Sequence, residues 1–121
     1  MEGIVLNKGK HLIIDCKNVD RNVCLDDKSM MNAICNAVIK AGSTILSTSR
    51  HRLGHNSPPG FACVVALDES HCSAHSYADD GLIAIDIFTC GKTDPMDVLT
   101  FIQEEINLGD VSFQIINRFI I

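Results

Sequence analysis

Apolar positions along the chain recur at two different periods. His11-Leu-Ile-Ile-Asp15 is an apolar, β-branched run that gives way to a polar stretch containing Asn18, Asp20 and Asn22. That pattern predicts a strand over about residues 10–16 that leaves into a loop. From Asp26 to Ala41 the period lengthens: Met30, Met31, Ile34, Cys35 and Val38 fall at helical spacing, with Asp26 or Asp27 placed to cap and Gly42 to terminate. Residues 43–51, rich in Thr, Ser and Ile, read as a strand, and Gly54-His-Asn-Ser-Pro-Pro-Gly60 as a loop. Three short strand-like runs follow at 61–67, 71–77 and 82–89. They are separated by Asp68-Glu69-Ser70 and Ala78-Asp79-Asp80-Gly81, connections of turn length that predict an antiparallel meander. Asp94-Pro95 opens a second helix whose apolar face carries Met96, Leu99, Ile102 and Ile106, running up to Gly109. A last strand spans about 111–119.

The order β-α-β-β-β-β-α-β gives two amphipathic helices that must cover one antiparallel sheet from the same side. The expected fold is therefore α+β, a two-layer sandwich. Its strands carry apolar residues on both alternations, as Ala84 and Ile85 show beside Ile83 and Ile87. The uncovered face is thus expected to meet a second copy, sheet to sheet, in a four-layer αββα homodimer.

Composition narrows the function classes. The 121 residues, 46% hydrophobic and 21% charged, suit a single domain over 1–121, and no repeat or linker divides them. A formal charge of −5, without a Lys/Arg cluster, argues against nucleic acid as a partner. No apolar run approaches the roughly 18 residues that cross a bilayer, and no basic-then-apolar leader opens the chain; a cytoplasmic protein without a membrane partner is expected. Cysteines 16, 24, 35, 63, 72 and 90 include no close pair, so reduced thiols are expected. Only His51/His55 and His71/His75 have a zinc-like spacing, and neither has a third ligand nearby, so no metal is assigned.

The densest set of reactive side chains is Asp68-Glu-Ser-His-Cys-Ser-Ala-His75, at a turn and the start of a strand. Period-two geometry places His71, Ser73 and His75 on one face and Ser70, Cys72 and Ala74 on the other. From the residues alone this is either a nucleophile with its base or a polar strand edge.

Gly9-Lys-His-Leu12, Gly42-Ser-Thr-Ile45, Asp68-Glu-Ser-His71 with His75, and Gly81-x-x-Ala-Ile-Asp-Ile-Phe-Thr-Cys-Gly91 together resemble the small prokaryotic S-adenosylmethionine decarboxylases, in order from about residue 9 to 115. The resemblance implies a pyruvoyl-dependent carboxy-lyase that cuts itself between Glu69 and Ser70 into chains 1–69 and 70–121. Ser70 would supply the pyruvoyl cofactor, which takes the substrate amine as a Schiff base and accepts electrons as carbon dioxide leaves. It also implies that His75 assists processing, that Cys90 returns a proton to the substrate carbon, and that Leu53, Asp79 and Glu69 bind substrate. The product would supply the aminopropyl donor for spermidine synthesis, with no metal required.

Three positions depart from the family pattern. Ala62-Cys63 stands where relatives carry Ser-Gly, whose hydroxyl takes part in processing; nearby Ser57 would have to fold back to replace it. Leu53 stands for a Phe that stacks on adenine, and Asp79 for a Glu that binds the ribose hydroxyls. Two alternatives stay open on these grounds: a pyruvoyl decarboxylase of another amino acid such as arginine, or an uncleaved homologue that binds a ligand or partner. His71 is read as structural, and His11 and His51 receive no role.

Overall fold

The computed structural model describes residues 7–68 and 70–120. Six strands and three helices follow in the order β1 (Asn7–Lys17), α1 (Arg21–Leu25), α2 (Asp27–Lys40), β2 (Ile45–Leu53), β3 (Gly60–Leu67), β4 (Ser70–Tyr77), β5 (Leu82–Cys90), α3 (Pro95–Glu105) and β6 (Asp110–Ile120). The strands form one sheet ordered β2-β3-β4-β5-β1-β6 with every neighbouring pair antiparallel. The expected α+β sandwich is present, with the meander β3-β4-β5 at its centre.

Alternation decides which side of the sheet is covered. Leu12, Ile14 and Cys16 of β1, Phe61, Cys63, Val65 and Leu67 of β3, Cys72 and Ala74 of β4, and Ile83, Ile85 and Ile87 of β5 are all buried and share one face. Helix α2 closes over them with Met30, Ile34, Ala37 and Val38, and α3 with Val98, Leu99 and Ile102. The opposite face carries Ile13, Ala62, Val64, Ala66, His71, His75, Ala84, Asp86 and Phe88, none of them buried. Apolar residues on both alternations were thus a correct reading, although Ile83, Ile85 and Ile87 all point to the helices and Ala84 alone of that set faces out.

Each helix begins at an aspartate. Asp20 accepts the Asn22 amide N–H (2.8 Å), Asp94 that of Met96 (2.9 Å), and Asp26 both the amide (3.0 Å) and the hydroxyl (2.7 Å) of Ser29. The two Ser29 donors hold the Asp26 carboxyl below its ordinary range. The unfolded value is the higher one, so this cap stabilises the fold above the ordinary carboxylate range and the contribution fades as pH falls through the lowered value.

Two stretches differ from the sequence expectation. The polar run after β1, read as loop, contains the short helix α1: Asp20 caps it, and Cys24 anchors it in the core. Asp26 then ends α1 and caps α2, so the two helices abut without a glycine or proline between them. At the other end, α3 stops at Glu105 rather than near Gly109, because Asn107 Oδ1 accepts the Gly109 N–H (3.0 Å) in a turn that buries Leu108.

One buried hydroxyl joins three elements. Ser76 Oγ accepts the Phe61 N–H at 2.8 Å and donates to the Cys24 carbonyl at 2.6 Å. Replacing it by alanine strands two buried backbone groups, so Ser76→Ala is expected to lower unfolding free energy by about 1–3 kcal/mol, measurable by urea titration. Among the described residues no helix is long and apolar enough to cross a membrane.

Candidate functional site

Ser70 opens β4 directly after the β3–β4 turn, opposite Leu67, and Cys90 closes β5. Because β4 and β5 are hairpin partners, with His71 opposite Phe88, these two ends lie side by side. The Cys90 amide N–H donates to Ser70 Oγ at 3.3 Å, and both residues are half-buried. Glu69 lies outside the described residues.

Beside Cys90 opens a cavity of about 470 Å³ whose walls include Gly9, Lys10, Gly91, Lys92 and Asp94. Its rim is fixed by Thr89, whose hydroxyl donates to the Thr93 carbonyl at 2.8 Å. Gly9 is required here: a Cβ would stand 2.8 Å from the Thr89 carbonyl oxygen and 2.9 Å from the Phe88 ring. The backbone of β1 therefore passes close under the cavity without a side chain to fill it.

The cysteines separate by burial. Cys16, Cys24, Cys63 and Cys72 are buried, and desolvation pushes the Cys16 and Cys63 thiols up to about 11 and Cys72 to about 12. Such groups stay as thiols and fill space. Burial also raises Cys24 and the half-buried Cys35. Cys90 is the one that borders this cavity.

The other residues singled out from sequence gather at the far end of the sheet. His75 is exposed on the uncovered face and sits directly between Ala62 of β3 and Ala84 of β5 in the cross-strand register. Leu53, the last residue of β2, pairs with Gly60 at the same end. Asp79, in the β4–β5 turn, accepts a hydrogen bond from Arg21 Nη1 at 2.6 Å, and both line a second cavity of about 630 Å³. Five residue steps of extended strand separate Ser70 from His75, about 16 Å at the usual strand rise, and they belong to opposite alternations. One chain therefore brings Ser70 against Cys90 and His75 beside Ala62, with Leu53 and Asp79 at the His75 end of the sheet, and it does not bring Ser70 and His75 together.

Between the two ends lies a set to which sequence reading gave no chemical role. His11 Nε2 is 3.0 Å from Asp86 Oδ1. The Phe88 ring is flanked by His71, with ring centres 5.6 Å apart, and by the Arg118 guanidinium 5.6 Å from its centre. The signal was available in period two: Asp86 and Phe88 share the alternation of Cys90. Among the described residues no cluster of three metal-binding side chains occurs.

Comparison with known proteins supplies the family. The family model for S-adenosylmethionine decarboxylase matches residues 10–119. An S-adenosylmethionine decarboxylase proenzyme of Thermodesulfovibrio yellowstonii is 38% identical over 85 residues, covering 70% of this chain and 61% of that protein. A protein of the same name from Syntrophomonas wolfei is 30% identical over 111 residues, 91% of this chain and 86% of that protein. The crystal structure of the adenosylmethionine decarboxylase from Aquifex aeolicus superposes with a TM-score of 0.81 at 26% identity, covering 95% of this chain and 93% of that one. With the family model matched over residues 10–119 and the fold shared with a solved relative, this chain belongs to the S-adenosylmethionine decarboxylase family.

Proposed function

We propose that the chain cuts itself between Glu69 and Ser70 and then decarboxylates S-adenosylmethionine, with its catalytic unit a sheet-to-sheet homodimer. The observation that carries this reading is the Ser70 hydroxyl held against the Cys90 amide beside a cavity. In the first step Ser70 Oγ adds to the Glu69 carbonyl carbon and the peptide C–N bond breaks, leaving an ester. Loss of the Ser70 α-proton then expels Glu69 as a carboxylate, and hydrolysis of the dehydroalanine consumes water and releases ammonia. The Cys90 N–H occupies a lone pair of Oγ, fixing the rotamer of the hydroxyl and leaving a second lone pair for attack.

The residues fit the pyruvoyl group that this sequence of steps leaves at position 70. Its carbonyl supplies the electron sink for loss of carbon dioxide. Cys90 borders the cavity next to that position, and in this reading it returns the proton to the substrate carbon. Leu53 and Asp79 would hold the adenosine part, Leu53 by apolar contact and Asp79 by accepting from the ribose hydroxyls.

The split arrangement favours a composite site. A two-fold axis lying between two uncovered sheet faces and across the strands lays the His75 end of one copy on the Ser70 end of the other. His75, Leu53 and Asp79 then complete the partner's centre rather than their own. The uncovered face suits such burial, since Ile13, Ala62, Val64, Ala66 and Ala84 line it. Release of labelled carbon dioxide from carboxyl-labelled adenosylmethionine, against labelled arginine as competitor, tests the activity and its substrate together. Release from arginine alone would replace the substrate assigned here, and release from neither would remove the decarboxylase reading.

Ala62 supplies a further expectation. It sits opposite His75, so a hydroxyl there would stand beside the imidazole. Ala62→Ser is expected to shorten the half-time of self-cleavage roughly tenfold, less than the roughly hundredfold or more of a group that itself transfers the proton. A time course of band conversion on denaturing gels measures this.

A further inference from the structure

The two edges of the sheet are built differently. Strand β2 presents Ser47-Thr-Ser-Arg-His-Arg52, a polar and charged sequence that keeps its free edge solvated. Strand β6, the opposite edge, is as long as any strand in the sheet and carries Val111, Phe113, Ile115, Ile116 and Phe119. On its helix side it continues the rows of Ile14 and Leu12, which pair with Phe113 and Ile115. The helix layer packs on β1 to β5, however, and leaves Phe113 48% and Ile115 47% exposed. Among the described residues no strand lies beyond β6, so a row of backbone donors and acceptors borders this apolar strip.

The strand is also complementary to itself. When β6 is laid antiparallel to a second β6 about a two-fold axis through Gln114, Asp110 falls opposite Arg118 at both ends, and Phe113 opposite Ile115 on the helix side. A slip of two residues keeps every side chain on its face but moves Asp110 opposite Ile120 or Ile116, so the charges single out this register. We propose that β6 pairs with β6 of a second copy, joining two six-stranded sheets edge to edge. The axis of this pairing is perpendicular to the sheet, so the helix layers stay on one side and the His75 face stays free. Both contacts in one molecule make a closed dimer of dimers.

The proposal is independent of the decarboxylase reading, and its test reads mass rather than activity. Sedimentation of the whole protein is expected to show the β6-linked assembly. Arg118→Asp or Asp110→Arg alone weakens it by roughly tenfold or more in dissociation constant, and the double exchange D110R/R118D restores it. Because Asp110 also accepts from Asn18, and Arg118 also covers Phe88, a second variant avoids the charges. Gln114→Cys places two thiols on the axis with Cα atoms about 4.5–5.5 Å apart, inside the range a disulfide spans. Mild oxidation is expected to link two copies through residue 114, whereas Ser112→Cys, opposite Ile116, stays unlinked. Charge variants that sediment like the parent, or a Gln114→Cys protein that links no better than Ser112→Cys, would overturn the pairing.

Discussion

Ser70→Ala is expected to leave the chain whole after any length of incubation and without detectable decarboxylation. Alanine removes the one oxygen that attacks the Glu69 carbonyl, and it leaves no atom from which a ketone at position 70 can form. The effect on folding is expected to be small. Ser70 is half-buried, and the loss is one long hydrogen bond from the Cys90 amide, about 0.5–1.5 kcal/mol. An unfolding curve close to the parent's, together with an uncut band on a denaturing gel, separates lost chemistry from lost structure.

The second large effect comes from mixing two inactive chains. His75→Ala is expected to slow processing by about a hundredfold or more, as loss of a positioned proton-transfer group does. Ser70→Ala alone is inactive for the reason above. If His75 served the Ser70 of its own strand, a mixture of the two variants would stay uncut. The strand places them about 16 Å apart along its length, so the account assigns His75 to the partner's centre, whose Ser70 end the two-fold brings over it. In a mixed dimer one centre then carries both defects while the other is native. Refolding the two variants together is therefore expected to restore cleavage of the His75→Ala chains, and activity from one centre per mixed dimer. Neither variant refolded alone recovers either.

The meander from β3 to β5 was legible because short turn sequences, Asp68-Glu69-Ser70 and Ala78 to Gly81, separate runs of strand length. Helix α2 was legible because its apolar period is long enough to count. Helix α1 was not: five residues make little more than one turn, and what stabilises them is Cys24 in the core and a capping aspartate shared with the next helix. Ser70 and His75 stood out in the sequence, as did their opposite faces, whereas Cys90 was singled out only through the family resemblance. Their division between two ends of the sheet did not, because it depends on which strand ends lie side by side. The Arg21–Asp79 contact spans 58 positions and the His11–Asp86 pair 75, and only the register of the sheet brings such residues together.

The central claim is that Ser70 turns a single chain into two and a cofactor. Intact-mass measurement on freshly purified protein, repeated after prolonged incubation, tests it most directly. The account predicts two components, residues 1–69 with an ordinary carboxyl terminus, and residues 70–121 lighter by one ammonia than simple hydrolysis would leave them. A single full-length mass that never changes, or a 70–121 fragment that still begins with serine, would contradict it.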